Sequence, residues 1–170
     1  GQRSGLELTL PRDVRWAKKL PDFQWFDRQL TRMKGGDNHD VQQGFFVYRE
    51  PYTSEEQFSI QSRLRKRNEV LKNHVPGPTP RSYMTTEMRY TPSYEEVVHN
   101  GGFASVLRGL WRIEGDYMGG PFYSLTVYDE RSAELVTVEG YAYAPFFDKR
   151  EYMREVEAIV RSLVWYDAPN

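Results

Sequence analysis

No cysteine occurs in the 170 residues of this chain. Disulfides, thiolate nucleophiles, Cys-ligated zinc and iron–sulfur clusters are therefore excluded. That absence fixes no compartment, because exported proteins also fold without disulfides. Neither sign of charge is in excess: 23 Lys and Arg face 24 Asp and Glu, for a formal charge of −1. Nucleic-acid binders carry a basic excess or a basic stripe, so the balance argues against a nucleic-acid partner. No apolar run approaches the roughly 18 residues that a membrane-spanning helix needs. Histidine is scarce, with only His39, His74 and His99. None shares a helix face with a second ligand at metal-binding spacing, and His39 between Asp37 and Asp40 reads as a solvated turn. No metal site and no cofactor are expected.

Aromatic side chains, by contrast, are plentiful, with 12 Tyr, 9 Phe and 4 Trp. Such a share suits a sheet-rich core or a ligand surface. Alternating apolar residues predict short strands at Leu6 to Leu10, Val14 to Lys19, Phe23 to Leu30 and Phe45 to Arg49, with turn chemistry from Met33 to Asp40. Thr53 and Glu56 stand at capping-box spacing before Ile60, Leu64, Leu71 and Val75, which fall on one helical face. The helix must end near His74, because Pro76-Gly77-Pro78-Thr79-Pro80 cannot continue it. Its basic run, Arg63, Arg65, Lys66 and Arg67, is expected to be a solvated face and not a phosphate patch.

After the prolines, strands are expected at Tyr83 to Tyr90, Phe103 to Ile113, Tyr123 to Val127 and Leu135 to Ala144, then an amphipathic helix through Tyr152, Val156, Ile159, Val160 and Leu163. The expected fold is thus one α+β domain over residues 1–170. A mainly antiparallel sheet of about six to seven strands packs with two amphipathic helices, and residues 1–4 form a flexible leader.

The most distinctive loop runs from Gly115 to Phe122. No Lys-Ser or Lys-Thr follows its glycines, and a strand follows instead of a helix, so it reads as a tight turn with positive φ at Gly119 or Gly120 and not as a phosphate cradle. Asp116 could cap amides there. Asp116 and Glu139 are weak catalytic candidates, since paired carboxylates hydrolyse glycosides when held at a suitable separation. Tyr117, Gly119, Gly120, Tyr141, Tyr143 and Arg108 are the candidate ligand-binding residues. Tyr141 and Tyr143 are expected to point outward, because Val136 and Val138 occupy the opposite parity.

Six ordered segments carry a family resemblance: Val75-Pro-Gly-Pro, Ser82-Tyr-Met-Thr-Thr-Glu87, Arg108-Gly-Leu-Trp111, Met118-Gly-Gly-Pro-Phe122, Glu139-Gly-Tyr-Ala-Tyr-Ala-Pro145 and Lys149-Arg150. Together they resemble the C-terminal half of a lipoprotein family found mainly in Bacteroidetes and known as domain of unknown function 4837. The resemblance runs from about Leu6 to Leu163 and departs from the family pattern at Tyr123 and Ala142, where Val is expected. It implies an exported, envelope-associated protein with a lipidated cysteine and a further domain ahead of this one, so that the chain is a C-terminal fragment. Any membrane contact would pass through that anchor. It assigns no catalytic residues. The functional expectation is a module that binds a protein or glycan partner in the cell envelope. The alternatives are a carboxylate-based hydrolase using Glu139 and Asp116, and a purely structural domain.

Overall fold

Long apolar and aromatic alternation drives most of this chain into one antiparallel sheet. The computed structural model describes residues 1–166. Its strands are β1 (Gly5–Glu7), β2 (Arg15–Lys19), β3 (Phe23–Lys34), β4 (Asp37–Pro51), β5 (Tyr83–Thr86), β6 (Ser93–His99), β7 (Gly102–Glu114), β8 (Gly119–Asp129), β9 (Glu134–Tyr143) and β10 (Val164–Tyr166). A short 3-10 helix, Glu55–Phe58, precedes α1 (Ile60–His74), and α2 (Arg150–Arg161) follows β9. The main sheet has the order β2-β3-β4-β9-β8-β7-β5, with β6 sharing the outer edge of β7. β1 and β10 form a separate antiparallel pair. The expected α+β class, with a mainly antiparallel sheet and two helices, is what the chain adopts.

The two helices lie on opposite faces of the sheet, and alternation decides which residues meet which helix. On one face Phe45, Val47, Ala104, Val106, Tyr123, Leu125, Val127, Val136 and Val138 form a core with Val156, Ile159 and Val160 of α2. On the other, Phe46, Tyr48, Leu107, Trp111, Ile113, Phe122 and Tyr141 form a core with Val70 and Leu71 of α1. Both faces of β9, the central strand, are therefore buried. Two glycines allow close approach. A Cβ at Gly140 would come within 2.3 Å of the Val156 side chain, and one at Gly44 within 2.2 Å of the Tyr141 ring.

Several boundaries differ from the sequence reading, each for a local reason. The turn expected over Met33 to Asp40 shrinks to Gly35-Gly36, both at positive φ, the two-residue connection that matches strand twist. Asp37 to Asp40 belong to β4. The capping box lies one residue later than expected, at Ser54 and Gln57, and opens the 3-10 helix. α1 has its own cap, with Ser59 accepting from the Ser62 amide at 3.1 Å. β5 ends at Thr86, short of the expected Tyr90. The strands β6 and β10 were not expected. β6 is largely polar and exposed, and β10 has three residues, so neither carries a clear alternation.

The basic run of α1 is the main correction. Arg65 is exposed, but Arg63 and Arg67 are buried and turn toward the sheet. Arg67 Nε donates to Glu139 Oε1 at 2.8 Å and Nη2 to Oε2 at 3.1 Å, while Nη1 donates to Thr86 Oγ1 at 2.6 Å. Its guanidinium lies 3.7 Å from the centre of the Phe122 ring. Arg63 pairs with Glu50 of β4. The helix face expected to be solvated is thus a row of inward ion pairs.

A second charged cluster holds the start of the chain. Asp129, 1% exposed, accepts from the Ser4 amide at 2.9 Å, the Ser4 hydroxyl at 2.7 Å and Arg49 Nη1 at 3.0 Å. Arg3 Nε donates to Glu134 at 2.8 Å. Burial opposes the Asp129 charge, yet the Ser4 and Arg49 contacts outweigh it and bring the carboxyl down to about 2. Its folded value is below its unfolded one, so the stabilisation is present above about pH 4 and is lost as pH falls toward 2. Acid titration of unfolding free energy should show a loss on the order of 2 kcal/mol from this group between about pH 5 and pH 2. Asp129→Asn should be less stable at neutral pH and should show a shallower acid slope than the wild type; an unchanged slope would exclude this role.

Candidate functional site

The glycine-rich loop is the turn of the β7–β8 hairpin. Gly115 takes φ 91°, the left-handed conformation that a side chain disfavours. Ile113 N donates to Met118 O at 3.0 Å, which closes the turn. Asp116 caps it as expected, its Oδ1 accepting from the Tyr117 amide at 2.7 Å. From behind, Thr79 of the proline connector donates its hydroxyl to Gly115 O at 3.3 Å. The ring of Tyr117 is left in solvent, fully exposed.

Positive φ, expected at Gly119 or Gly120, falls at Gly115 instead, because Gly119 and Gly120 already lie in β8. Their lack of a side chain serves close packing. A Cβ at Gly120 would stand 2.2 Å from the Ala142 carbonyl oxygen and 3.0 Å from Trp111 Nε1. Those two atoms hydrogen-bond to each other at 3.2 Å beneath the glycine. At Gly119 a Cβ would stand 2.9 Å from the Trp111 carbonyl oxygen.

Beside this hairpin end opens a groove of about 620 Å³, lined by Asp116, Tyr117, Gly119 and Gly120 together with Arg89, Tyr90 and Lys149 among others. Four of the sequence candidates are therefore brought together. Sequence reasoning missed Arg89 and Tyr90, because the segment after Thr86 was read as more strand. Lys149 was quoted only within a motif. Tyr90 is 63% exposed. The charges in the groove are largely matched locally, with Arg89 on Glu87 at 3.1 Å and Arg112 on Glu114. Arg89 accordingly holds the Glu87 carboxyl below its usual range.

The other candidates lie elsewhere. Tyr141, expected outward, is 1% exposed in the core under α1. Its hydroxyl accepts from Trp25 Nε1 at 3.2 Å, its ring stacks on Phe46 at 5.2 Å, and burial pushes its pKa up. Parity does set Tyr141 opposite Val136 and Val138, but that face is covered by α1. Tyr143 is half-buried, with its ring 6.0 Å from that of Trp111. Arg108 faces the α2 layer, where it pairs with Glu157 and its guanidinium sits 4.6 Å from the Tyr123 ring centre.

Glu139 does not join Asp116. It is fully buried, and both of its oxygens are held by Arg67. Burial pushes its carboxyl up, while Arg67 and the Ser124 hydroxyl pull against that shift. Glu139 is paired with Ser124, five residues along β8 from Gly119, and Asp116 precedes Gly119 in the turn. At a strand rise of about 3.3 Å per residue, the backbone at Glu139 is offset by roughly 16 Å along the sheet from the Gly119 end of the hairpin, where Asp116 lies. Paired-carboxylate hydrolysis works at about 5 to 10 Å.

With this geometry in place, a family assignment follows from comparison with known proteins. The family described as Domain of unknown function (DUF4837) matches residues 1–162. The chain belongs to the DUF4837 family. The match takes in every strand except β10, both helices and the whole groove. No curated protein matches the chain. For this DUF4837 domain, Gly120→Ala should cost about 2 kcal/mol or more, since the added methyl meets backbone that cannot yield cheaply. Gly102→Ala should be nearly neutral, because its nearest contact would be 3.6 Å. Denaturant unfolding of both variants checks this, and equal losses would contradict it.

Proposed function

We propose that this DUF4837 domain is a ligand- or protein-binding module of the cell envelope, with the groove beside the β7–β8 hairpin as its contact surface. The observation that carries the reading is the exposure of the Tyr117 and Tyr90 rings around one groove. Large rings in solvent lose hydration when covered, and flanking polar groups then set orientation. Arg89, Lys149 and Asp116 supply those groups. A glycan or a polypeptide segment from an envelope protein has the apolar faces and polar edges that such a surface fits.

The location comes from the resemblance to a lipoprotein family of Bacteroidetes. In this reading the protein is exported and held at a membrane by a lipidated cysteine outside this chain, leaving the groove free to engage its partner. Affinity capture from envelope extracts, using the full-length lipoprotein and its Tyr90→Ala/Tyr117→Ala variant, tests the proposal. The wild type should retain a glycan or protein that the variant loses, with unfolding midpoints unchanged because both rings are exposed. Identical captured material from the two proteins would overturn it.

A further inference from the structure

A second cavity, of about 520 Å³, lies on the α1 face of the sheet and is lined by Tyr52, Glu55, Phe58, Glu96, Phe103 and Tyr128. It is remote from the groove. Tyr128 stands nine residues along β8 from Gly119, about 30 Å at the rise of a strand. Its four rings come from separate stretches: Tyr52 follows β4, Phe58 ends the 3-10 helix, Phe103 begins β7 and Tyr128 ends β8. They adjoin one another in series. Tyr128 and Tyr52 have centroids 5.1 Å apart, Tyr52 and Phe58 6.4 Å, and Phe58 and Phe103 4.8 Å edge to face.

These rings are not simply core. Phe103 is 49% and Tyr128 36% exposed, and Tyr52 and Phe58 are half-buried. Two exposed carboxylates stand among them, Glu55 on the 3-10 helix and Glu96 on β6. Among the described residues neither forms an ion pair or a side-chain hydrogen bond. The nearby cations of α1 are occupied, since Arg63 and Lys66 both reach Glu50. The cavity therefore combines aromatic faces with two uncompensated negative charges.

We propose that this cavity binds a small organic cation, an alkylated ammonium ion. The face of an aromatic ring is its negative part, and a cation within about 6 Å of the centroid is attracted to it. Alkyl groups on the nitrogen bury against the rings while Glu55 and Glu96 match the charge. A hard metal ion would want a shell of oxygens instead of rings. The volume falls in the range of small-molecule sites, about 300 to 1,000 Å³.

Titration calorimetry with choline, with putrescine, and with the uncharged isostere of choline, in which carbon replaces nitrogen, tests this directly. At least one of the two amines should bind, at least about tenfold tighter than the neutral isostere. Tighter binding of putrescine than of choline would place both carboxylates on one diamine and equally support the proposal. Glu55→Gln/Glu96→Gln, and separately Phe103→Ala, should each weaken that binding about tenfold without moving the unfolding midpoint. Tyr90→Ala/Tyr117→Ala should leave it unchanged, which separates this site from the groove. Equal affinity for the neutral isostere, or no amine binding up to about 10 mM, would overturn it.

Discussion

The ion pair between Arg67 and Glu139 joins the second layer of this domain to its first. Glu139 sits in the middle strand of the sheet, and Arg67 reaches it from α1, both fully buried. Two charges out of water are tolerable only when each finds full compensation. Here the carboxylate receives two guanidinium bonds and the Ser124 hydroxyl, while the guanidinium also bonds Thr86 and covers the Phe122 ring. Thr86 in turn donates to Asn68 of the same helix at 2.6 Å. The pair thus fixes where along the sheet α1 lies and ties β5 to both. Arg63 with Glu50 repeats the arrangement at the start of the helix. Beneath it run polar side chains in register, with Tyr48, Thr137, Thr126 and Ser105 on successive strands.

That placement of α1 sets what is open and what is closed on its face of the sheet. The helix and its two ion pairs close the middle. The β7–β8 hairpin end remains open as the groove with Tyr90 and Tyr117, and the far end of β8 remains open as the aromatic cavity under the 3-10 helix. The opposite face has α2 across it, where Arg108 is taken up by Glu157 and the Tyr123 ring. Both candidate surfaces therefore sit at strand ends that α1 leaves uncovered.

Most of the fold was legible in the sequence, because alternation in β3, β4, β7, β8 and β9 and the stripe of α2 follow their burial directly. The candidate site was legible in part. Turn chemistry pointed to Gly115 through Gly120, and Asp116, Tyr117, Gly119 and Gly120 do meet in one groove. What failed was the expectation that the face of β9 opposite Val136 and Val138 lies in water, since α1 covers it. Tyr141 was expected to point outward as a ligand-binding group, and Arg63 and Arg67 were expected on a solvated helix face. The structure cancels both readings at once, since the arginines on α1 answer the carboxylates on the sheet. The Arg67–Glu139 match is written in two segments 72 residues apart, and no local pattern in either one signals it. Tyr52, Phe58 and Phe103 escaped notice for a related reason: each is an ordinary ring in its own segment, and only the fold assembles them.

The pairing of α1 with the sheet is tested most directly by a double-mutant cycle on Arg67→Met and Glu139→Leu, read by denaturant unfolding. Each single change leaves a buried charge without its partner and should cost about 3 to 5 kcal/mol. The double variant, which removes both charges and fills the space with apolar groups, should lose far less than the sum of the two. Strictly additive losses, or single losses below about 1 kcal/mol, would contradict the account, because then the pair would not be what holds α1 against the central strand.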